Sequence, residues 1–181
     1  MLEPQVIHKA DAGGVVTGIQ TEEQFKIAFC TMLENVCNKV PDAEIYGVLV
    51  QKSMTQGVEV AVGGLRDPQF GPVVMFGAGG TSIEVLQDVS FRLARLDREE
   101  ALRQIKDTKV FKILQGVRRN KPCDIVALAD LIINAGKLLE EMPEISEPDF
   151  NSVFAYHDHC LVVDARMMLS SEPASVSTVN K

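Results

Sequence analysis

"RDPQFGPVVMFGAGG", residues 66–80, decides how this chain reads. A charged pair, Arg66-Asp67, leads through Pro-Gln-Phe-Gly-Pro into an apolar run, which ends in Gly77-Ala78-Gly79-Gly80. Glycine and proline on both sides of residues 72–76 mark a strand between two turns. The glycine loop admits two readings. Backbone N–H groups approach phosphate oxygens closely where no Cβ intervenes. Glycine equally supplies the positive φ of a tight turn between strands. The Walker pattern fails because no lysine follows Gly80, and the dinucleotide pattern fails because Ser82 stands where a third glycine belongs.

Working outward, residues 58–65 alternate as a strand, with Glu59 breaking the apolar set. Residues 45–52 are apolar and β-branched, and 15–20 form a shorter run; both read as strands. Between them Thr21-Glu22-Glu23-Gln24 has capping-box form, and Phe25, Ala28, Phe29, Met32, Leu33 and Val36 follow at helical spacing. The spacing predicts a helix over 21–38, ended by Pro41. Downstream, 83–86 and 89–93 read as one bent strand. Asp97-Arg98-Glu99-Glu100 opens a helix over 98–106, and 110–115 adds a turn. Pro122 suits the first turn of a long helix whose apolar face is Ile125, Leu128, Ala129, Ile132, Ala135, Leu138 and Leu139, stopped by Pro143. Strands at 152–156 and 161–166 flank His157-Asp158-His159 at hairpin spacing. The Ser/Thr-rich end reads as a disordered tail. Antiparallel strands with helices on one side give an α+β fold.

The 181 residues suffice for one domain or two small lobes, and 46% hydrophobic with 24% charged residues is an ordinary globular mix. The net charge of −7 argues against a nucleic-acid partner, which needs cations to replace counterions around phosphate. No apolar run approaches the ~18 residues of a membrane span, and the N-terminus lacks the pattern of a signal peptide. Cys30, Cys37, Cys123 and Cys160 form no CxxC, so they read as reduced thiols in a cytoplasmic protein.

Three groups of residues invite chemistry. In "EPDFNSVFAYHDHCLVVDAR", residues 147–166, Asp149 and Asn151 alternate onto one face, and a hairpin brings Asn151 beside Asp164. Such oxygens suit Mg²⁺, which takes one or two protein ligands plus phosphate and water; they also suit loop capping. His157-x-His159-Cys160 offers either a weak metal motif or a solvated turn. In "HKADAGG", residues 8–14, His8 is either a phosphoryl-handling imidazole or part of an exposed terminus.

Taken together, the blocks HK-D-GGV, YGVLVQK, GVEVAVG, RDPQFGPVVMFG-GG, EVL-DVSFRLA-LD, E-x-D-x-N and VDAR resemble the ATP-grasp region of ADP-forming acyl-CoA synthetases. They are similar to the β subunit of acetate–CoA ligase (ADP-forming), a relative of succinyl-CoA synthetase. The resemblance covers roughly residues 4–167. It implies an ATP-grasp fold using ATP/ADP and Mg²⁺, in an oligomer with a CoA-binding α-type subunit or domain. The overall reaction implied is acyl-CoA + ADP + phosphate ⇌ acid + ATP + CoA, with this part passing phosphoryl between phosphohistidine and ADP. By position, it implies His8 and Arg66 as catalytic residues. Val48, Leu49, Val50 and Gln51 become the adenine hinge; Glu59, Asp67, Gly79 and Gly80 line the nucleotide; Asn151, Asp164 and Asp149 hold the metal. It further implies an incomplete first lobe over 1–43, a second lobe over 44–168 and a tail over 169–181. The family's lysine-bearing strand before HK-D-GG has no counterpart, and its usual proline after Asn151 is Ser152 here. The alternative is a non-catalytic nucleotide-binding or assembly module that keeps the fold without turnover.

Overall fold

The computed structural model describes residues 13–42, 45–54, 57–80, 88–116 and 121–170. His8, residues 83–86 and the tail beyond Ser170 lie outside the described residues. The chain divides into two compact units, Met1–Thr55 and Gln56–Lys181. The division falls after the 45–52 segment, which the sequence reading gave to the second lobe.

In the first unit, α1 (Glu22–Lys39) starts where the cap signal places it. Thr21 Oγ1 accepts from the Gln24 N–H at 3.2 Å, and Gln24 Oε1 accepts from the Gln20 N–H at 2.8 Å. Two N–H groups that the helix cannot satisfy are thereby paired. Met32 and Val36 are its buried residues. The strands expected at 15–20 and 45–52 do not form. A strand exists by pairing, and neither segment has a hydrogen-bonded neighbour strand among the described residues.

The second unit is an antiparallel sheet covered on one face. Its strands are β1 (Val58–Asp67), β2 (Gly71–Ala78), β3 (Val89–Leu93), β4 (Ile145–Ala155), β5 (Cys160–Val162) and β6 (Arg166–Leu169). Their order is β3-β2-β1-β4-β5, with β6 also paired to β4. Helices α2 (Arg98–Lys106), α3 (Phe111–Leu114) and α4 (Ile125–Glu141) connect β3 to β4. Asp97 caps α2 through the Glu100 N–H at 2.8 Å, and Asp124 caps α4 through the Ala127 N–H at 2.9 Å. Asp124 takes the cap, so Pro122 precedes the helix rather than opening it as expected.

The core lies between sheet and helices. Val60, Val62, Val74, Phe76, Phe150 and Val153 meet Leu128, Ile132 and Leu139. Each large side chain buried there contributes about 1.5–3 kcal/mol. The helix seats closely because Gly64 has no side chain: a Cβ there would lie 2.6 Å from both Leu139 Cδ1 and the Val73 carbonyl. Among the described residues no helix is long and apolar enough to cross a membrane. All four cysteines are free thiols.

Candidate functional site

One end of β1 gathers polar groups from four segments. Glu59 lies opposite Phe154 on β4, and the register then shifts between Val60 and Val62. Val60 pairs with Val153 and Val62 with Phe150, so Asn151 and Ser152 together face Ala61. This bulge breaks the alternation and re-aims both side chains. Asn151 Oδ1 accepts from the Gly80 N–H at 2.9 Å, and the Ser152 hydroxyl donates to Glu59 Oε2 at 3.3 Å. The returning chain is broken at the same level. β5 ends at Val162, β6 begins at Arg166, and the N–H groups of Val163 and Asp164 approach the Ser152 carbonyl at 3.0 and 3.4 Å. The expected meeting of Asn151 and Asp164 therefore takes place in a gap between two strands.

Asp149 pairs with Gly63 on one side and Arg166 on the other. Its carboxyl titrates above the ordinary carboxylate range, first because it is partly buried and then because Glu147 and Asp164 repel its charge; Arg166 opposes the shift. A cation would relieve this unbalanced negative charge. The donors are all oxygen, as a hard divalent ion requires. Among the described residues no three His, Cys, Asp or Glu side chains gather as a self-sufficient metal site. Asp149, Asn151 and Asp164 offer oxygens of the kind Mg²⁺ takes, and Mg²⁺ bound by one or two protein ligands keeps coordination positions for phosphate and water.

The glycine loop closes this end. The N–H groups of Ala78, Gly79 and Gly80 are all donated within the protein, to the Asp88 carbonyl (3.1 Å), the Glu59 carbonyl (3.1 Å) and Asn151. These glycines frame the site by close packing. A Cβ on Gly79 would collide with the Val60 backbone. One on Gly80, whose φ is +61°, would collide with Glu59 Oε2.

Within the first unit, a cavity of about 370 Å³ is lined by 14–19, by Phe25, Ala28, Phe29 and Met32 of α1, and by 48–53. Val48, Leu49, Val50 and Gln51 are thus wall residues of one apolar cavity, at the small end of the size range of ligand sites.

An ATP-grasp domain family model matches residues 1–169. The β subunit of acetate–CoA ligase (ADP-forming) I from Pyrococcus furiosus is 50% identical over 169 residues, 93% of this chain and 73% of that subunit. The chain belongs to this ATP-grasp family of ADP-forming acid–CoA ligase β subunits. Among solved structures, acetyl-coenzyme A synthetase 1 of Ca. Korarchaeum cryptofilum, in complex with coenzyme A, Ca-AMPCP and HgCl⁺, superposes with a TM-score of 0.86 at 48% identity. It covers 92% of this chain and 73% of that one. A second structure of that synthetase holds coenzyme A and Mg-AMPPCP with its phosphohistidine segment pointing towards the nucleotide binding site. It matches at TM-score 0.83 and 44% identity, over 94% and 74% of the two chains.

In this ATP-grasp chain, Glu59, Gly79, Gly80, Asn151 and Asp164 come together, with Asp149 close by. Arg66 and Asp67 do not join them. Arg66 lies an odd number of residues from Glu59, hence on the other sheet face, and roughly 23 Å along the strand. Its guanidinium donates to the carbonyls of Ile145 (2.8 Å), Met142 (2.9 Å) and Leu139, where α4 ends and β4 begins. Asp67 Oδ1 accepts from the N–H groups of Gln69 (2.8 Å) and Phe70 (2.9 Å), closing its own turn. His157 and His159 flank Asp158 in the β4–β5 turn, where His159 also stacks on Tyr156 at 4.6 Å. Sequence reasoning missed Ser152 and Arg166 as members of the site. Arg166 was legible as the cation closing VDAR; Ser152 gave no signal except its departure from the family's proline.

Proposed function

We propose that this chain is the ATP-grasp part of an ADP-forming acid–CoA ligase, passing a phosphoryl group between a phosphohistidine and ADP. The overall reaction is acyl-CoA + ADP + phosphate ⇌ acid + ATP + CoA. The convergence of Glu59, Gly80, Asn151 and Asp164 at one sheet end carries this reading. Phosphoryl transfer asks for positioning and charge neutralisation more than for covalent chemistry. Asp149, Asn151 and Asp164 hold Mg²⁺, which when bound neutralises phosphate charge. Gly79 and Gly80 shape the floor under the phosphates. Val48–Gln51 meet the adenine, and the apolar cavity they line supports that role. The N–P bond of the phosphohistidine breaks as an O–P bond to the terminal phosphate of ADP forms, and the imidazole departs with its lone pair. His8 relays phosphate in this scheme: its imidazole takes the phosphoryl group as the N–P bond of the partner's phosphohistidine breaks, and the N–P bond so formed on His8 is the one that breaks in the transfer to ADP. A CoA-binding α-type subunit or domain supplies the acyl phosphate and the phosphohistidine.

One observation favours the alternative of a module without turnover: the loop amides a phosphate would use are donated internally. A single assay separates the two. The chain is combined with a CoA-binding α-type partner, and ATP formation from acetyl-CoA, ADP and phosphate is followed with and without Mg²⁺. Mg²⁺-dependent ATP formation, lost in His8→Ala, is the expected result. Mg·ADP binding without ATP formation would establish the module instead. Binding itself is read by thermal shift, since ligand at 100 times its Kd adds about 2.7 kcal/mol.

A further inference from the structure

We propose that Ser152 is a positioning residue, whose hydroxyl fixes the Glu59 carboxylate against Gly80 so that one carboxylate oxygen is held and the other stays available. The inference rests on the function proposed above and adds a residue to which neither the family motif nor the metal set gives a role.

Three contacts carry it. The Ser152 hydroxyl donates to Glu59 Oε2 at 3.3 Å. A Cβ on Gly80 would strike that same oxygen and would come within 4.0 Å of Ser152 Oγ, so the three groups meet at one point. Gly80 is in turn tied to Asn151, the neighbour of Ser152, through its N–H. The loop closes on itself: Glu59 to Ser152, Ser152 to Asn151 through the chain, Asn151 to Gly80, and Gly80 back against Glu59. A glutamate side chain left without such a contact samples several rotamers, and ordering it has an entropic cost. Here that cost is met before any ligand arrives, which is what preorganisation requires. Oε1 of Glu59 makes no hydrogen bond among the described residues. It is the free acceptor of a restrained carboxylate, at the level of the sheet where Asn151 and Asp164 present their oxygens.

The position of Gly80 follows from the same contact. Its φ of +61° and missing Cβ make room for the carboxylate, whereas its N–H is used on Asn151 and not on phosphate. Glycine at 80 is thus a clearance for Glu59.

The test uses the chain reconstituted with its α-type partner and Mg·ADP, comparing wild type, Ser152→Ala, Ser152→Thr, Glu59→Ala and the double variant. Ser152→Ala is expected to lower kcat about tenfold with KM for ADP changed less than about twofold, since a misplaced Glu59 that raises the barrier by about 1.4 kcal/mol slows the step by a factor of ten. Ser152→Thr, which keeps the hydroxyl, restores most of the rate. In the Glu59→Ala background, Ser152→Ala adds nothing, because the partner of its hydroxyl is already gone. A wild-type kcat in Ser152→Ala, failure of Thr to rescue, or additive losses in the double variant would overturn the proposal. The Gly79 and Gly80 amide resonances give a readout free of turnover. Both single alanine variants should displace them in the same way, leaving Phe70 unmoved; unmoved glycine resonances would also overturn it. If the wild-type complex makes no ATP yet the resonances shift as expected, the ligase reading falls and the lock on Glu59 stands.

Discussion

The two ends of strand β1 use similar residue types for opposite purposes. At the Asp67 end, both charged residues of the strand are spent on the fold. Arg66 holds three carbonyls at the end of α4 and the start of β4, and Asp67 holds two amides of its own turn. At the Glu59 end, charge is left over. Among the described residues Glu59 keeps an oxygen without a hydrogen bond, Asp164 sits exposed in a gap between strands, and Asp149 is pushed up by burial and then by its acidic neighbours. A saturated charge builds; an unsaturated one is available to a ligand. The block that is easiest to recognise, RDPQFGP, belongs to the building end.

Substitutions at the two ends should therefore separate activity from stability, and the largest effect is expected at the open end. Asp164→Ala should lower Mg²⁺-dependent ATP formation by about 10²–10³-fold, ~2.7–4 kcal/mol in the barrier. Its unfolding midpoint should stay near wild type, because an exposed side chain outside a ladder supports little. A large loss of stability with normal transfer would erase the contrast. Arg66→Ala should do the reverse, costing about 2–3 kcal/mol in urea unfolding by leaving three carbonyls without their donor. The folded fraction should transfer phosphoryl normally; a rate collapse without destabilisation would return Arg66 to the phosphates. Arg66→Lys should recover less than half, since an ammonium cannot reproduce the guanidinium fork. Asp67→Ala should cost about 1 kcal/mol through the lost turn, again without a kinetic effect.

The smallest effect concerns pH. Burial and neighbouring carboxylates raise the Asp149 pKa in the folded chain. Stability from this group is therefore fully present below the ordinary carboxylate pKa and is lost as pH rises through the raised value. In the metal-free chain, Asp149→Asn should raise the thermal midpoint slightly at pH 7. The gain should vanish in acid, where Asp149 is protonated, and Mg²⁺ should no longer stabilise the variant as it does wild type.

Much of this was legible in the residues, and the failures share a cause. The Asp97 cap fixed α2 at Arg98–Lys106, and the apolar face of α4 was readable from Ile125 to Leu139. Both depend on neighbours within a turn or two of the chain. The meeting of Asn151 with Asp164 was also readable, because a hairpin links positions by arithmetic. The strands at 15–20 and 45–52 were misread because apolar, β-branched composition permits a strand while only a partner makes one. The placement of Arg66 is of the same kind. Its acceptors lie 73 to 79 positions away, and no local pattern announces them. Ser152 depends on a bulge, which appears only once two strands are aligned.

The Arg66 contact has a kinetic consequence. Its three acceptors are in register only after β1, α4 and the start of β4 have met, so it is expected to close late in folding, outside any local nucleus. Interactions absent from the folding transition state act on escape from the native state. Arg66 is in that sense a latch. Removing it should leave refolding rates nearly unchanged and shorten the lifetime of the folded chain, as stopped-flow refolding and unfolding would read.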